Sequence, residues 1–234
     1  MKLLSRVLMV VGLGMLISML YLAGRLTGWN IPVAIGLYGL AWGVQMIVHE
    51  VGHWIGGTIS GYRLLLLQLG ILGVEKTGEG KLRLIRAEGL TGQCIMIPQK
   101  TEDPPFRAYH MGGMTANLLL VLISCCFVLI PWFYGQLLFV SLLWTGVQKI
   151  LINSLPDISG GYPNDGYVLW LLAKYPEARK DHALYLQLYE KLYREEPIEK
   201  AAYTYERNGA EPEALLYYRE MQDILDSLPE TAEI

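Results

Sequence analysis

Apolar residues run almost unbroken over four stretches: Leu3–Leu22, Ile31–Ile59, Ala108–Ile130 and Phe133–Ile152. A helix needs roughly 20 such residues to cross the hydrocarbon of a bilayer, so the pattern predicts four membrane spans. Lys2 and Arg6 flank the first run, and no small-x-small cleavage site follows it. It reads as a retained anchor rather than a signal peptide. In the second span, Trp29 and Trp42 suit interfacial or packing aromatics. Gly36, Gly39 and Gly43 have the spacing of a close helix contact, or are ordinary glycines of a membrane helix. Gly52, Gly56 and Gly57 are expected to let another backbone come near.

Between the second and third spans the pattern changes. Tyr62–Val74 is apolar but too short to span. Lys76–Lys81 reads K-T-G-E-G-K, a turn. Leu82, Leu84 and Ile85 then mix with Lys81, Arg83 and Arg86 as in a half-exposed strand, and Thr91–Pro98 offers another short strand. These predict a small antiparallel sheet at the membrane surface. It either caps the helices or offers an edge to an extended peptide. After the fourth span, Asn153–Asp165 is rich in Gly and Pro and cannot be helix throughout. Gly166–Ala173 is apolar again but too short to cross alone. In Pro176–Ile234, Leu184, Leu188 and Leu192 recur every four residues, Asn208-Gly209 is a helix stop, and Pro212 suits the first turn of the next helix. Ala201, Tyr205, Gly209, Ala214 and Tyr218 loosely resemble one tetratricopeptide unit, which would need a partner surface to bury its apolar face.

Composition sharpens this division. The chain has 234 residues, 53% of them hydrophobic, with a mean hydropathy of +0.31. That is more apolar than a soluble domain of this size. The net charge of −3 is unevenly spread: from Lys174 onward there are 8 Lys and Arg against 14 Asp and Glu. A basic membrane part therefore precedes an acidic soluble part. The expected fold is an α-helical polytopic membrane protein. Residues 1–30 form an anchor, 31–174 a membrane core with a β-hairpin insertion at about 62–100, and 175–234 a helical tail. The basic residues place both termini and the sheet on the cytoplasmic side, with Arg25 as the one dissenter. A bacterial cytoplasmic membrane is the expected location. Cys94, Cys125 and Cys126 form neither a disulfide framework nor a C-x-x-C site. Nothing in the chain reads as nucleic-acid binding.

The chemistry lies in Val48–Trp54, V-H-E-V-G-H-W. On a helix, His49 and His53 share one face, one turn apart, where they can bind the same metal ion. Glu50 beside them can serve as general base toward a metal-bound water. This is the H-E-x-x-H pattern of zinc peptidases. Ionisable residues at membrane depth are costly and are functional by default. A catalytic zinc site usually has three protein ligands. Asp157 and Asp165 are the acidic candidates. His110 reads as interfacial, and His182 as an exposed residue of a tail helix. Asn117, a polar amide just inside an apolar run, should have a partner.

Three motifs in order resemble the site-2 protease group of intramembrane metalloproteases. They are His49-Glu50-Val51-Gly52-His53, Gly113-x-x-x-Asn117, and Asn153-x-x-Pro156 followed by Asp165-Gly166. Together they cover roughly Ile31–Ala173. Met114 stands where the family pattern has proline and Asn164 where it has leucine, and the stretch from Pro156 to Asp165 is longer. The resemblance implies a zinc metalloendopeptidase with a compact site-2 protease-like core. It implies Zn²⁺ held by His49, His53 and Asp165, since only Asp165 is followed by glycine. Glu50 would be the base, and Asn117 and Asn153 would hydrogen-bond the substrate or its oxyanion. The implied substrate is a membrane-spanning or membrane-associated protein or peptide, cut in regulated proteolysis or in precursor or signal-peptide processing. A regulator could bind the helical tail. The rival reading is a non-catalytic membrane scaffold or regulator that keeps the fold; it predicts damaged chemistry.

Overall fold

A computed structural model describes residues 11, 14, 15, 18, 22, 24, 25, 28, 30–87, 92–158, 163–206 and 210–228. Most of Leu3–Leu22, together with Trp29, Gly160-Gly161 and Asn208-Gly209, lies outside the described residues. Three of the apolar runs form helices long and apolar enough to cross a membrane: α1 (Asn30–Ile59), α2 (Phe106–Phe127) and α3 (Phe133–Ser154). Their outer faces carry exposed Ile35, Leu40, Leu119, Leu122 and Ile123, as the outside of a membrane bundle requires. α1 crosses α2 at glycine. A Cβ at Gly52 would come within 2.4 Å of the Gly112 carbonyl oxygen, and one at Gly56 within 2.1 Å of the Ala108 oxygen. Gly36, Gly39 and Gly43 meet nothing within 4 Å, so among the described residues they hold no helix contact. Trp42 packs instead under Lys149, whose ammonium lies 4.0 Å from the ring centroid.

Between α1 and α2 the chain forms β1 (Tyr62–Leu69), β2 (Leu72–Lys76), β3 (Leu82–Arg86) and β4 (Gly92–Pro98), antiparallel in the order β3-β2-β1-β4. Gly70 and Gly80 take positive φ in the two tight turns. Leu64–Leu67 are all buried, which an unalternating apolar run requires when both faces of a strand are covered. One face of the sheet, with Tyr62, Leu64, Leu67, Cys94 and Met96, packs around Tyr109 of α2. The other, with Leu65, Leu66, Ile95 and Ile97, packs on Leu186 of the tail. The sheet is thus a layer between the apolar helices and the tail, not a hairpin lying free.

The rest is α4 (Asp165–Lys174), α5 (Ala178–Tyr193), a 3₁₀ turn (Lys200–Ala202) and α6 (Leu216–Ser227). Leu184 and Leu188 face Ile198, Tyr203, Met221 and Leu225. A second cluster joins Phe106, Leu171, Leu172, Ala178 and Tyr217, tying α2, α4, α5 and α6 together. The tail therefore finds its partner surface within the chain. The tetratricopeptide reading fails: Ala201 lies in the 3₁₀ turn and Tyr205 outside any regular element, so they share no helix face. Tyr203 is instead turned into the cluster around Leu188, and the Tyr205 hydroxyl donates to Asp181. Pro212 sits in turns ahead of α6 rather than in its first turn.

Candidate metal centre

α1 carries His49, Glu50 and His53, all buried. The imidazole Nε2 atoms of the two histidines lie 3.0 Å apart. Each ring is oriented through its other nitrogen. His49 Nδ1 is 2.7 Å from Asn117 Oδ1, and His53 Nδ1 is 2.8 Å from the Tyr109 carbonyl. Both partners are acceptors, because the Asn117 amide nitrogen is committed elsewhere. The Nδ1 atoms therefore carry the protons and donate, leaving both Nε2 lone pairs facing inward. Asn117 Nδ2 donates to the Gln45 carbonyl (2.8 Å) and to Gln45 Oε1 (2.6 Å), and Gln45 Nε2 donates to the Leu142 carbonyl (2.8 Å). Three helices thus fix the orientation of one imidazole, and no polar atom of the chain Leu142–Gln45–Asn117–His49 is left unpaired.

The third group comes from α4. Asn164 is its N-cap, accepting from the Tyr167 N–H at 2.8 Å. The Asn164 amide also donates to the carbonyls of Ile152 (2.6 Å) and Leu155 (2.7 Å), capping the end of α3. Gly166 lets the two helix ends touch: a Cβ there would lie 2.5 Å from the Ser154 oxygen. This places Asp165 Oδ2 3.2 Å from both His49 Nε2 and His53 Nε2. Asp157 is exposed and outside the cluster; its backbone N–H donates to Asn164 Oδ1.

Among the described residues, the possible ligand atoms of His49, His53 and Asp165 gather within 4.8 Å of one another. Donors in a tetrahedral shell about 2 Å from a zinc ion stand about 3.3 Å apart, close to the 3.0–3.2 Å separations here. Two imidazole lone pairs and a carboxylate oxygen at that distance repel unless positive charge lies among them. Gly113 keeps the space in front of them clear. A Cβ there would meet His53 Nε2 at 2.5 Å and His49 Cε1 at 2.6 Å. The donor set fits a divalent metal ion.

Comparison with protein families, with characterised proteins and with solved structures gives no match.

Glu50 lies on the side of the sheet. The start of β4 passes beside it, where a Cβ at Gly92 would stand 2.7 Å from Glu50 Oε1. Asn117 has its amide fully engaged by Gln45 and His49, so in this geometry it orients the His49 imidazole and has no hydrogen left to give another group. Asn153 is half-buried and donates to the Lys149 carbonyl of its own helix at 3.0 Å; no contact joins its side chain to the three donors. Two histidines depart from the sequence reading. His182 is buried rather than exposed, because α5 turns it inward against Tyr217, with centroids 4.5 Å apart. His110 is likewise buried, 3.8 Å from Asp165. Gln45 escaped the sequence reading altogether. A signal existed, since Gln45 lies one turn before His49 on the same face, and His110, Gly113 and Asn117 fall on one face of α2.

Proposed function

We propose that the protein is an intramembrane zinc metalloendopeptidase of the site-2 protease type, acting on membrane-embedded or membrane-associated proteins or peptides. The observation that carries this reading is the convergence of His49 Nε2, His53 Nε2 and Asp165 Oδ2, with Glu50 next to the first histidine on a long apolar helix. His49, His53 and Asp165 would hold the ion. Zinc bound there supplies Lewis acidity and acidifies a coordinated water to a pKa of about 7. Asn117 and the Tyr109 carbonyl hold the two imidazoles in the tautomer that presents Nε2. The Glu50 carboxylate takes the proton of the attacking water and returns it to the leaving amine.

A substrate must be extended at the scissile bond, because a helix occupies its own carbonyls. β4 is an edge strand that begins beside Glu50, and no described strand pairs with its outer side. A peptide added along that edge would run toward the base, which supports strand addition as the mode of binding.

The test is the purified full-length protein in detergent, with zinc measured per chain and cleavage followed on a membrane-associated peptide. The parent protein should hold one zinc and cleave. Glu50→Gln should hold one zinc and lose cleavage by several orders of magnitude, because the proton acceptor is gone and the ligands are not. Full activity in Glu50→Gln overturns the assignment of the base, and metal-free, inert parent protein overturns the enzyme.

A further inference from the structure

Asp165 turns Oδ2 to the two ligand histidines, and its other oxygen faces a third. Oδ1 lies 3.8 Å from His110 Nδ1. That is longer than a formed hydrogen bond, as contacts around a reactive site commonly are before substrate is bound. The His110 ring sits against His182 of α5 with centroids 5.3 Å apart, and His182 sits against Tyr217 of α6. His110 and His182 are both more than nine-tenths buried. His110 Nε2 and His182 Nδ1 are buried atoms without a hydrogen-bond partner among the described residues.

An unpaired imidazole nitrogen in a buried place is expensive, and a phenylalanine would fill the same volume without that cost. Here two such nitrogens belong to adjacent rings from different parts of the chain. Their needs are complementary. If His110 donates from Nδ1 to Asp165, its Nε2 is an acceptor, and His182 Nδ1–H is a donor.

We propose that His110 and His182 are positioning residues of the metal centre. His110 holds Asp165 Oδ1 so that Oδ2 stays turned to His49 and His53. His182 Nδ1–H pairs with His110 Nε2, directly or across a water, and fixes the His110 ring. The helical tail thereby supplies an outer part of the site, and its docking is a condition of full metal affinity. This rests on the reading that the three donors hold zinc. Neither histidine touches the ion or the reacting atoms.

The experiment uses the full-length protein in detergent, with zinc affinity from chelator competition and the visible spectrum of the cobalt-substituted protein as a report on coordination. Removing an outer partner of a ligand typically costs 10–100-fold in metal affinity, so His110→Phe should weaken zinc binding by about that much and alter the cobalt spectrum. His182→Phe should act in the same direction, more weakly. Asn places an amide N–H near the position of Nδ1, so His110→Asn and His182→Asn should recover most of the affinity. If His182→Phe releases the tail, seen as new protease cleavage in α5, the Asn pair and His110→Phe decide. Phe variants that bind zinc as tightly as the parent overturn the proposal. So do Asn variants that lose affinity as much as Phe, since the histidines would then only fill space. A parent protein that binds no zinc overturns the metalloprotease reading instead.

Discussion

At the scale of single residues, the carboxylate that joins the two histidines shows how placement decides chemistry. Asp157 and Asp165 are eight residues apart in one Gly- and Pro-rich stretch. Asp165 heads a helix whose start is clamped to the end of α3 by Asn164 and Gly166, and its carboxylate meets both histidines. Asp157 is exposed, and its backbone serves the turn. Asp165→Asn keeps the size and removes the charge; it should abolish cleavage and sharply weaken zinc binding. Asp157→Asn should leave most of both. Parallel zinc titrations and cleavage assays decide, and the reverse pattern would move the ligand to Asp157. The H-E-x-x-H residues and Asp165-Gly166 were legible because chemistry restricts which residues can do their work. Gln45 and His110 were not, because an amide or imidazole in an apolar run says only that a partner exists, not which one.

At the scale of elements, the sheet and the tail are joined by a polar clasp. Glu190 of α5 receives Arg63 of β1 on both carboxylate oxygens, and Arg194 Nε at 2.9 Å. Glu75 of β2 accepts from the Tyr193 hydroxyl at 2.6 Å and from Arg83 Nε at 2.7 Å. The Tyr193 hydrogen bond, then Arg83, hold the Glu75 carboxyl below its ordinary value of 4.5. Burial, then Glu75, push Tyr193 up to about 12. The signs are opposite. The Glu75 contribution is present above its unfolded value and is lost as pH falls through the lowered one. The Tyr193 contribution is complete below the ordinary tyrosine value of about 10 and is lost as pH rises toward 12. Protection of α5 against hydrogen exchange should therefore be greatest between about pH 5 and pH 10. Tyr193→Phe should cost about 1 kcal/mol and remove the alkaline limb attributable to this residue. An alkaline limb identical to the parent's would show that the clasp is not set by Tyr193.

At the scale of the whole molecule, layer order follows from which faces are apolar. α1, α2 and α3 expose apolar side chains outward, while the sheet and tail bury theirs against one another and against α2. The sheet and tail therefore lie on the same side of the bundle. With the basic residues of 61–107 on that side, we expect the sheet and the tail in the cytoplasm. A reporter fused after Ile234, with a second in the Lys76–Lys81 turn, should give the cytoplasmic signal in both. Opposite signals would break the layer order; an external signal from both would invert the protein in its membrane.

The sequence by itself determined three of the apolar helices nearly to their ends, the strands β3 and β4, and which side chains could gather as metal donors; that Tyr62–Val74 turns back on itself as β1 and β2 it did not show. Each feature it determined depends on local periodicity or on residue types with few substitutes, such as H-E-x-x-H and Asp-Gly. It also marked Gly52, Gly56 and Gly57 for close backbone approach; Gly52 and Gly56 meet the Gly112 and Ala108 carbonyls, whereas Gly57 makes room for the Met96 side chain. Only the tertiary structure decided what touches what across the chain. The sheet is covered on its far side by α5, Asn117 is spent on His49, and two histidines assigned to a boundary and to solvent are buried behind Asp165. Such pairings join elements that are far apart in the chain. Side-chain pattern reports whether a position is buried; which partner buries it is set by the packing of whole elements.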